Sequence, residues 1–246
     1  MYLGGLVVGL EIAIYGMAIS VVLGVFGAIA RRSTNVVIRG IASVYVAVFR
    51  AIPPLVLLYI VYFGLPSWAA DSGVTWAQNL FEPLNNRIFA AVIALGVNSG
   101  AYSTEIIRAA INAVGEEQME AARSIGMSYA MAMRRTILPQ AARIAFPPLG
   151  NEFITDLKGT SLASVIGVVE LMRQAQMAAA STFENLLAYS LAGVYYVIVV
   201  AILQILLSRI ETWFPGTTRS RHPFLFRRPI APLGISGGTT DGPSQH

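Results

Sequence analysis

The sequence predicts an all-α membrane protein with five transmembrane helices, its N-terminus outside and its C-terminus in the cytoplasm. Of its 246 residues, 55% are hydrophobic and only 12% are charged, whereas roughly 25% are charged in a typical soluble domain. The mean hydropathy is +0.63, and the apolar residues form long runs. The arginines lie between these runs, which indicates the direction in which the chain crosses the bilayer.

Four apolar runs are long enough to cross about 30 Å of hydrocarbon as helices. They occupy residues 3–30, 41–63, 88–110 and 186–207. The first run is not expected to be a cleaved signal peptide, because no cationic segment precedes it and it is too long for the apolar core of one. We therefore expect all four runs in the mature protein.

Lys and Arg residues near the ends of a span are retained in the cytoplasm. None precedes the first run, so the N-terminus is predicted to be outside. The groups of arginines predicted to be cytoplasmic are Arg31, Arg32 and Arg39 after the first run, Arg123, Arg134, Arg135 and Arg143 after the third, and Arg209, Arg219, Arg221, Arg227 and Arg228 after the last. Because only one clear run separates the last two groups, one more crossing is required between them.

That crossing is predicted at residues 145–169, which include Glu152, Asp156 and Lys158. Hydropathy alone would overlook the segment. A charged residue at the centre of a membrane helix costs about 2.5 to 3.5 kcal/mol on insertion scales. We therefore expect this helix to be buried in the bundle and to line a polar path.

The predicted cytoplasmic loop 113–144 contains a distinctive pattern. It reads Glu120-Ala121-Ala122-Arg123-Ser124-Ile125-Gly126 and, further on, Ile137-Leu138-Pro139-Gln140. Small alanines let a short helix approach a partner surface closely, Gly126 permits a turn with φ > 0, and Pro139 is unsuited to a helix interior. The pattern predicts two short helices joined at a corner, although by itself it would also suit an ordinary surface helix-turn-helix.

Several kinds of chemistry are missing from the sequence. There is no cysteine, and both histidines, His222 and His246, lie near the C-terminus, so thiol catalysis, histidine sites and metal clusters are not expected. The single lysine, Lys158, does not follow the Gly-x4-Gly pattern of a phosphate-binding loop. We expect no enzyme activity, cofactor or metal in this chain. Topology accounts for the formal charge of +4, so nucleic acid is not an expected partner.

The chain is predicted to divide into a membrane domain, residues 1–214, and a tail, residues 215–246. The tail is rich in Pro, Gly, Ser, Thr and Arg without periodicity. This composition is typical of a disordered segment.

Several further blocks join the pattern in loop 113–144. They are Val48-Phe49-Arg50 with Pro53, then 62–66, 98–102, 147–153, 160–167 and 173–176. In their order, these blocks resemble permeases of ATP-binding-cassette (ABC) importers for polar amino acids, the histidine, glutamine and arginine type. The resemblance implies a multi-pass subunit of a type I importer in the bacterial inner membrane. It also implies two ABC ATPase subunits that bind the ATP, a second permease subunit, identical or homologous, and an extracytoplasmic solute-binding protein.

In such permeases the EAA loop, to which loop 113–144 is similar, is the element that docks on the ATPase. The resemblance therefore assigns ATPase coupling to the matching residues of this loop. They are Glu120, Ala121, Ala122, Arg123, Gly126 and Pro139.

The chain departs from the family pattern at two places. The family commonly has Arg-Gly-Thr-Pro where this chain has Arg50-Ala51-Ile52-Pro53, and Lys-Asp-Thr-Ser-Leu where this chain has Lys158-Gly159-Thr160-Ser161-Leu162. Asp156 lies three residues before Gly159, close to the same helical face. We expect that the carboxylate has moved by one turn, which leaves the identity of the substrate open.

The candidate substrate contacts lie near the predicted midplane or in the charged crossing. Asn98 lies about 10 residues into its span, or roughly 15 Å at 1.5 Å per residue, and Ser99 and Tyr102 follow it. Asn98 and Ser99 would alternatively bridge helices by hydrogen bonds. The remaining candidates are Arg50, Asp156, Lys158, Thr160 and Ser161.

Lys158 and Arg50 have separate arguments. A buried Lys158 ammonium requires an anion, which is either Asp156 or Glu152 at rest or a substrate carboxylate. An ion pair with no role in transport is the simpler alternative. Arg50 precedes Pro53 and Pro54, where a broken helix would free backbone carbonyls to line the path.

The predicted function is therefore that of a permease subunit that moves a polar amino acid by alternating access, powered by ATP hydrolysis in partner chains. A gradient-driven secondary transporter or a channel for a small polar solute is the alternative. Such a transporter would need no element that docks on an ATPase, so the loop 113–144 favours the importer. An intramembrane enzyme is disfavoured because the spans contain no nucleophile with a base.

Overall fold

The computed structural model describes residues 2–212, and within them there are helices and turns but no strand. The predicted tail lies outside this range. The α-helices are α1 Tyr2–Arg31, α2 Val36–Ala51, α3 Pro54–Tyr59, α4 Leu65–Ser72, α5 Thr75–Phe81, α6 Arg87–Ala113, α7 Glu116–Ser124, α8 Tyr129–Ala132, α9 Leu138–Gly159, α10 Leu171–Thr182 and α11 Asn185–Glu211. Two π-helical turns, Ile60–Gly64 and Met133–Ile137, and two 3-10 turns, Glu82–Asn85 and Thr160–Ile166, connect some of them.

Three helices are long and apolar enough to cross a membrane: Tyr2–Arg31, Pro54–Ser72, which unites α3 and α4, and Asn185–Glu211. A fourth candidate is α6 taken with Thr75–Asn85, to which it is joined at a bend of 99°. The chain is therefore a multi-pass membrane protein. Helix α9, which contains the predicted charged crossing, does not satisfy the same test of apolarity.

The second predicted span, residues 41–63, is broken at Pro53, as the two prolines predict, and it ends later than expected. Helix α2 ends at Ala51, and Ile52 and Pro53 are extended, with ψ of 126° and 136°. Pro53 and Pro54 lack backbone N–H groups and disfavour helical geometry in the residue before them. The chain resumes as α3 at Pro54 and continues to Ser72, nine residues beyond the predicted end.

Helices α1 and α6 form the tightly packed centre of the bundle, and small residues bring them together. A Cβ atom on Gly24 would lie only 2.7 Å from the Cβ atom of Ser103, and one on Gly96 would lie 2.9 Å from the carbonyl oxygen of Gly16. Any side chain at these glycines would push the helices apart. This close approach is typical of membrane helices, where small residues let backbones pack closely.

The predicted corner lies at Gly126, which has a φ of +87°. Its N–H donates to the carbonyl of Arg123 at 2.9 Å, and the N–H of Met127 donates to that of Ala122 at 3.2 Å. These bonds satisfy carbonyls at the end of α7. We call α7, the corner and α8 (residues 116–132) the elbow.

The prediction that two short helices meet there is half wrong. Helix α7 is short, but α8 continues through the π-helical turn and α9 as one helix from residue 129 to residue 159. Pro139 lies in the first turn of α9, directly after the π-helical turn, where Leu138 N donates to the Met133 carbonyl. The wider turn accommodates a residue without an N–H, so Pro139 does not end the helix.

Candidate functional site

A cluster of polar side chains joins α1, α6 and α9 near the middle of the bundle. The Ser99 hydroxyl lies 2.8 Å from Asp156 Oδ2 and 3.2 Å from Glu152 Oε1. Ser20 Oγ lies 3.2 Å from Ser99 Oγ and 2.7 Å from Ser103 Oγ. One hydroxyl hydrogen is donated to one acceptor at a time, so Glu152 and Asp156 share a single donor on Ser99.

Both carboxylates have unused capacity for a cation. Glu152 and Asp156 are half-buried, four residues apart on one face of α9. Across residues 2–212, no Arg or Lys nitrogen lies within 4.0 Å of either one; the ion pairs in this range are Arg31–Glu105 and Arg108–Glu105. Carboxylates hydrogen-bonded by one hydroxyl between them are well suited to bind an ammonium or guanidinium group.

A positive charge completes the cluster. The Arg50 guanidinium carbon lies 5.0 Å from the centre of the Tyr102 ring, a distance suited to a cation–π contact. Its charge also acts attractively on Glu152. Arg50 is exposed and Tyr102 half-buried, so this side of the cluster is accessible. The cluster thus offers one cation and two carboxylates.

Asn98 has a structural role. It is buried, and its Nδ2 donates to the carbonyl oxygen of Phe49 at 2.7 Å. In a continuous helix the N–H of residue 53 would serve that carbonyl, but residue 53 is a proline. Asn98 therefore supplies the hydrogen bond that the helix break removes. Asn98 and Ser99 both form hydrogen bonds to neighbouring helices in this structure.

Of the alternatives for Lys158, the resting ion pair with Asp156 or Glu152 is not formed. Lys158 is exposed, and no carboxylate of the described chain lies within 4.0 Å of its ammonium. Residues two apart on a helix point about 200° apart, because each residue turns the helix by about 100°. Lys158 and Asp156 therefore point to different sides of α9, and Asp156 is hydrogen-bonded to Ser99 instead.

Thr160 and Ser161 stabilise the turn at the end of α9. Thr160 is fully buried, and its hydroxyl donates to the Leu157 carbonyl at 2.7 Å. The Ser161 hydroxyl donates to the Lys158 carbonyl at 2.8 Å. Both hydroxyls are thus used by the backbone, and Thr160 is inaccessible within this chain.

Sequence reasoning missed Glu170, which caps α10. Its carboxylate is fully buried and accepts hydrogen bonds from the N–H groups of Met172 and Arg173, both at 2.8 Å, and from the Tyr196 hydroxyl at 3.2 Å. Burial raises the pKa of Glu170, against the effect of these donors. An acidic residue immediately before an apolar helical segment was the available signal. Ser20 gave no signal, because a single serine in an apolar helix is common.

The residues of the elbow that are predicted to couple to the ATPase differ in their exposure to solvent. Ala122 is buried, while Glu120, Ala121 and Arg123 are exposed. Ile125, which was not predicted, is 75% exposed beside Gly126 at the corner.

The chain matches a family described as binding-protein-dependent transport system inner membrane component over residues 20–214. An arginine transport system permease protein of Corynebacterium glutamicum is 38% identical over 237 residues, which are 95% of this chain and 73% of that protein. An octopine transport system permease protein of Rhizobium radiobacter is 37% identical over 190 residues, which are 77% of this chain and 80% of that protein.

A solved structure has the same architecture. It is described as the crystal structure of an amino acid ABC transporter with histidines, and the matched chain is 38% identical with a TM-score of 0.76. The match covers 87% of this chain and 94% of that one.

We predict that Asn98→Leu destabilises the protein by about 1 to 3 kcal/mol, because it leaves the Phe49 carbonyl buried without a donor. Thermal unfolding in detergent measures the change. In a Pro53→Ala background, which restores a backbone N–H, the penalty of Asn98→Leu should be smaller. Equal penalties in the two backgrounds would show that this hydrogen bond does not compensate for the proline.

Proposed function

Because the chain belongs to the family of binding-protein-dependent transport system inner membrane components, we propose that it is the ABC importer permease subunit through which a polar amino acid crosses the bacterial inner membrane. The polar cluster at the centre of the helices is the observation that supports this cargo. An amino acid carries an ammonium and a carboxylate, and the cluster offers groups of the opposite charges. ATP-dependent uptake distinguishes this function from gradient-driven transport or a channel.

The proposed topology has five crossings with the N-terminus outside. Helices α1, α6, α9 and α11 make four of them, and α2 with α3 makes the remaining one across the break at Pro53. The arginine distribution supports this orientation. Helices α4, α5 and α10 then lie on the outer side, where a solute-binding protein would dock, and the elbow lies in the cytoplasm.

A second permease subunit, identical or homologous, is proposed to cover the polar side of α9. Asn151, Thr155 and Lys158 are exposed along this side. Polar groups facing lipid are costly, so such a face is expected to meet protein or a water-filled path. Two subunits that place these faces together would enclose the path between them.

The elbow is the proposed docking site for an ATPase subunit, one for each permease. Ile125 offers an apolar contact, and Glu120 and Arg123 offer charged ones. The elbow continues into the helix of residues 129–159 that carries Glu152 and Asp156. A displacement of the elbow on ATP hydrolysis would therefore tilt the helix that forms the cargo site, which is the requirement for alternating access.

For the cargo, we assign the ammonium to Asp156 and Glu152 and the carboxylate to Arg50. Ser99 positions both acids, and Tyr102 positions Arg50 through the ring contact. The family commonly has an aspartate at the position of Gly159. In this chain Asp156 is proposed to bind the ammonium in its place. Lys158 lies on the exposed side of α9 that the second subunit is proposed to cover, so it borders the path and not the acidic pair.

Introduced cysteines test the topology, because the chain has none of its own. Ala70→Cys, between α3 and α5, should react with an impermeant thiol reagent in intact cells. Ser124→Cys, at the elbow, should react only after the cells are permeabilised. The reverse pattern would invert the proposed orientation, and labelling of both from outside would rule out five crossings.

We predict that Gly126→Leu uncouples transport. A branched side chain at φ > 0 costs about 1 to 3 kcal/mol, which lowers the population of the native turn roughly 5- to 150-fold. Co-purification of the ATPase and ATP-driven uptake in proteoliposomes should both fall, while membrane insertion is retained. The matched control is Gly126→Asn, because asparagine tolerates this backbone region. Full uptake by Gly126→Leu would exclude the turn from coupling.

We predict that Asp156→Asn weakens cargo binding by roughly 10- to 150-fold, since a hydrogen bond to a charged group is worth about 1.5 to 3 kcal/mol. The amide oxygen can still accept from Ser99, so thermal stability should change little. The KM for uptake measures the loss.

Two further variants test the role of Asp156. Gly159→Asp should restore some uptake in the Asp156→Ala background, because no atom lies within 4 Å of a Cβ at Gly159. Lys158→Ala should not rescue Asp156→Ala, since the two side chains form no ion pair. Recovery in that double mutant would contradict a cargo-binding role for Asp156.

A further inference from the structure

An apolar groove lies between α1, α9 and α11, on a different side of α9 from the polar cluster. Its volume is about 420 Å³. Every side chain that lines it is apolar, and the principal ones are Met17, Val21, Leu149, Phe153, Leu203 and Leu207. A groove of this kind in the membrane region is suited to bind a hydrocarbon chain.

The groove lies beside a close contact between α11 and α9. A Cβ on Gly150 would overlap a methyl carbon of Leu207, so the two helices are in contact there. Most other residues of α11 are exposed. From Leu203 to Ile210 the groove extends for roughly 10 Å at 1.5 Å per residue, which is enough for part of an acyl chain.

The position of the groove indicates that lipid, and not a second permease, lies against it. Leu149 and Phe153 line the groove, and they lie two residues before Asn151 and Thr155 of the exposed polar side of α9. Two residues correspond to about 200° of rotation. The groove therefore opens on the opposite side from the face that requires protein or water.

Two arginines lie on α9 and α11 near one end of the groove. Arg143 is one helical turn before Phe146 on α9, and Arg209 adjoins Ile210 on α11. Both arginines are exposed, and neither has an ion-pair partner within 4.0 Å in the described chain. Glu211 is the acid nearest to Arg209 in sequence, and its single negative charge does not neutralise both arginines. This end of the groove therefore has a net positive charge.

We propose that this groove binds an anionic phospholipid, with one acyl chain between α1, α9 and α11 and the phosphate between Arg143 and Arg209. The chain thus has a lipid site that is separate from its cargo site. A phosphate next to two arginines at the membrane surface is favoured electrostatically, and the apolar walls take up the chain. A zwitterionic lipid would fill the same groove without the electrostatic preference.

Quenching by brominated lipids tests the proposal. The reporter is Leu206→Trp in the full-length chain, with Trp68→Phe, Trp76→Phe and Trp213→Phe to remove the other tryptophans. The protein is reconstituted in phosphatidylcholine vesicles containing either brominated phosphatidylglycerol or brominated phosphatidylcholine. We expect phosphatidylglycerol to bind more tightly, and Arg143→Gln and Arg209→Gln each to lower that preference about fivefold. Arg39→Gln, which removes an exposed arginine from α2, should not change it.

Two further measurements, one at high salt and one with a second tryptophan reporter, check the result without relying on a single variant. The preference should weaken in high salt, because the arginines are exposed, and Leu203→Trp, one turn deeper, should show the same preference. Equal quenching by the two lipids would reduce the groove to ordinary lipid contact. Absence of quenching by either lipid would show that protein fills the groove. Either result would overturn the proposal.

Discussion

The close contact of α1 with α6 is the interaction on which the rest of the bundle depends. Glycines at positions 24 and 96 remove the side chains that would separate the two helices. The contact brings Ser20 within hydrogen-bonding distance of Ser99 and Ser103. Ser99 in turn donates a hydrogen bond to the carboxylates of α9. The position of the acidic pair therefore depends on how α1 packs against α6. In a bilayer, where lipid is as apolar as leucine, such close packing and hydrogen bonding replace the hydrophobic effect.

The break between α2 and α3 shows how a membrane protein tolerates irregular backbone. A carbonyl without a donor is costly in hydrocarbon, and Pro53 creates one at Phe49. Asn98 satisfies it from α6, which also fixes the end of α2 and so the position of Arg50. The helix break thus separates α2 from α3, and it places the Arg50 guanidinium beside the Tyr102 ring. Asn98 contributes to the site by positioning its neighbours.

Helix α9 has a different environment on each of its sides. One side carries the exposed Asn151, Thr155 and Lys158, a second carries Glu152 and Asp156 against Ser99, and a third is the apolar wall of the groove. A helix with this division cannot be recognised by mean hydropathy, because its polar sides cancel its apolar one. It can still be accommodated in a membrane bundle when each side meets the medium that suits it.

The sequence alone determined the class of protein, because composition, arginine placement and the Glu120–Gly126 motif are local properties of the chain. The left-handed turn at Gly126 was likewise predictable, since a tight turn after a helix favours a residue without a Cβ. The partners of Asn98, Asp156 and Lys158 were decided only by the tertiary structure. Each of these side chains can bond to several groups, and which group lies within 3 Å depends on helix rotation and on the break at Pro53. Helix rotation is not recorded in the spacing of residues along one helix, although the prolines at positions 53 and 54 predict the break itself.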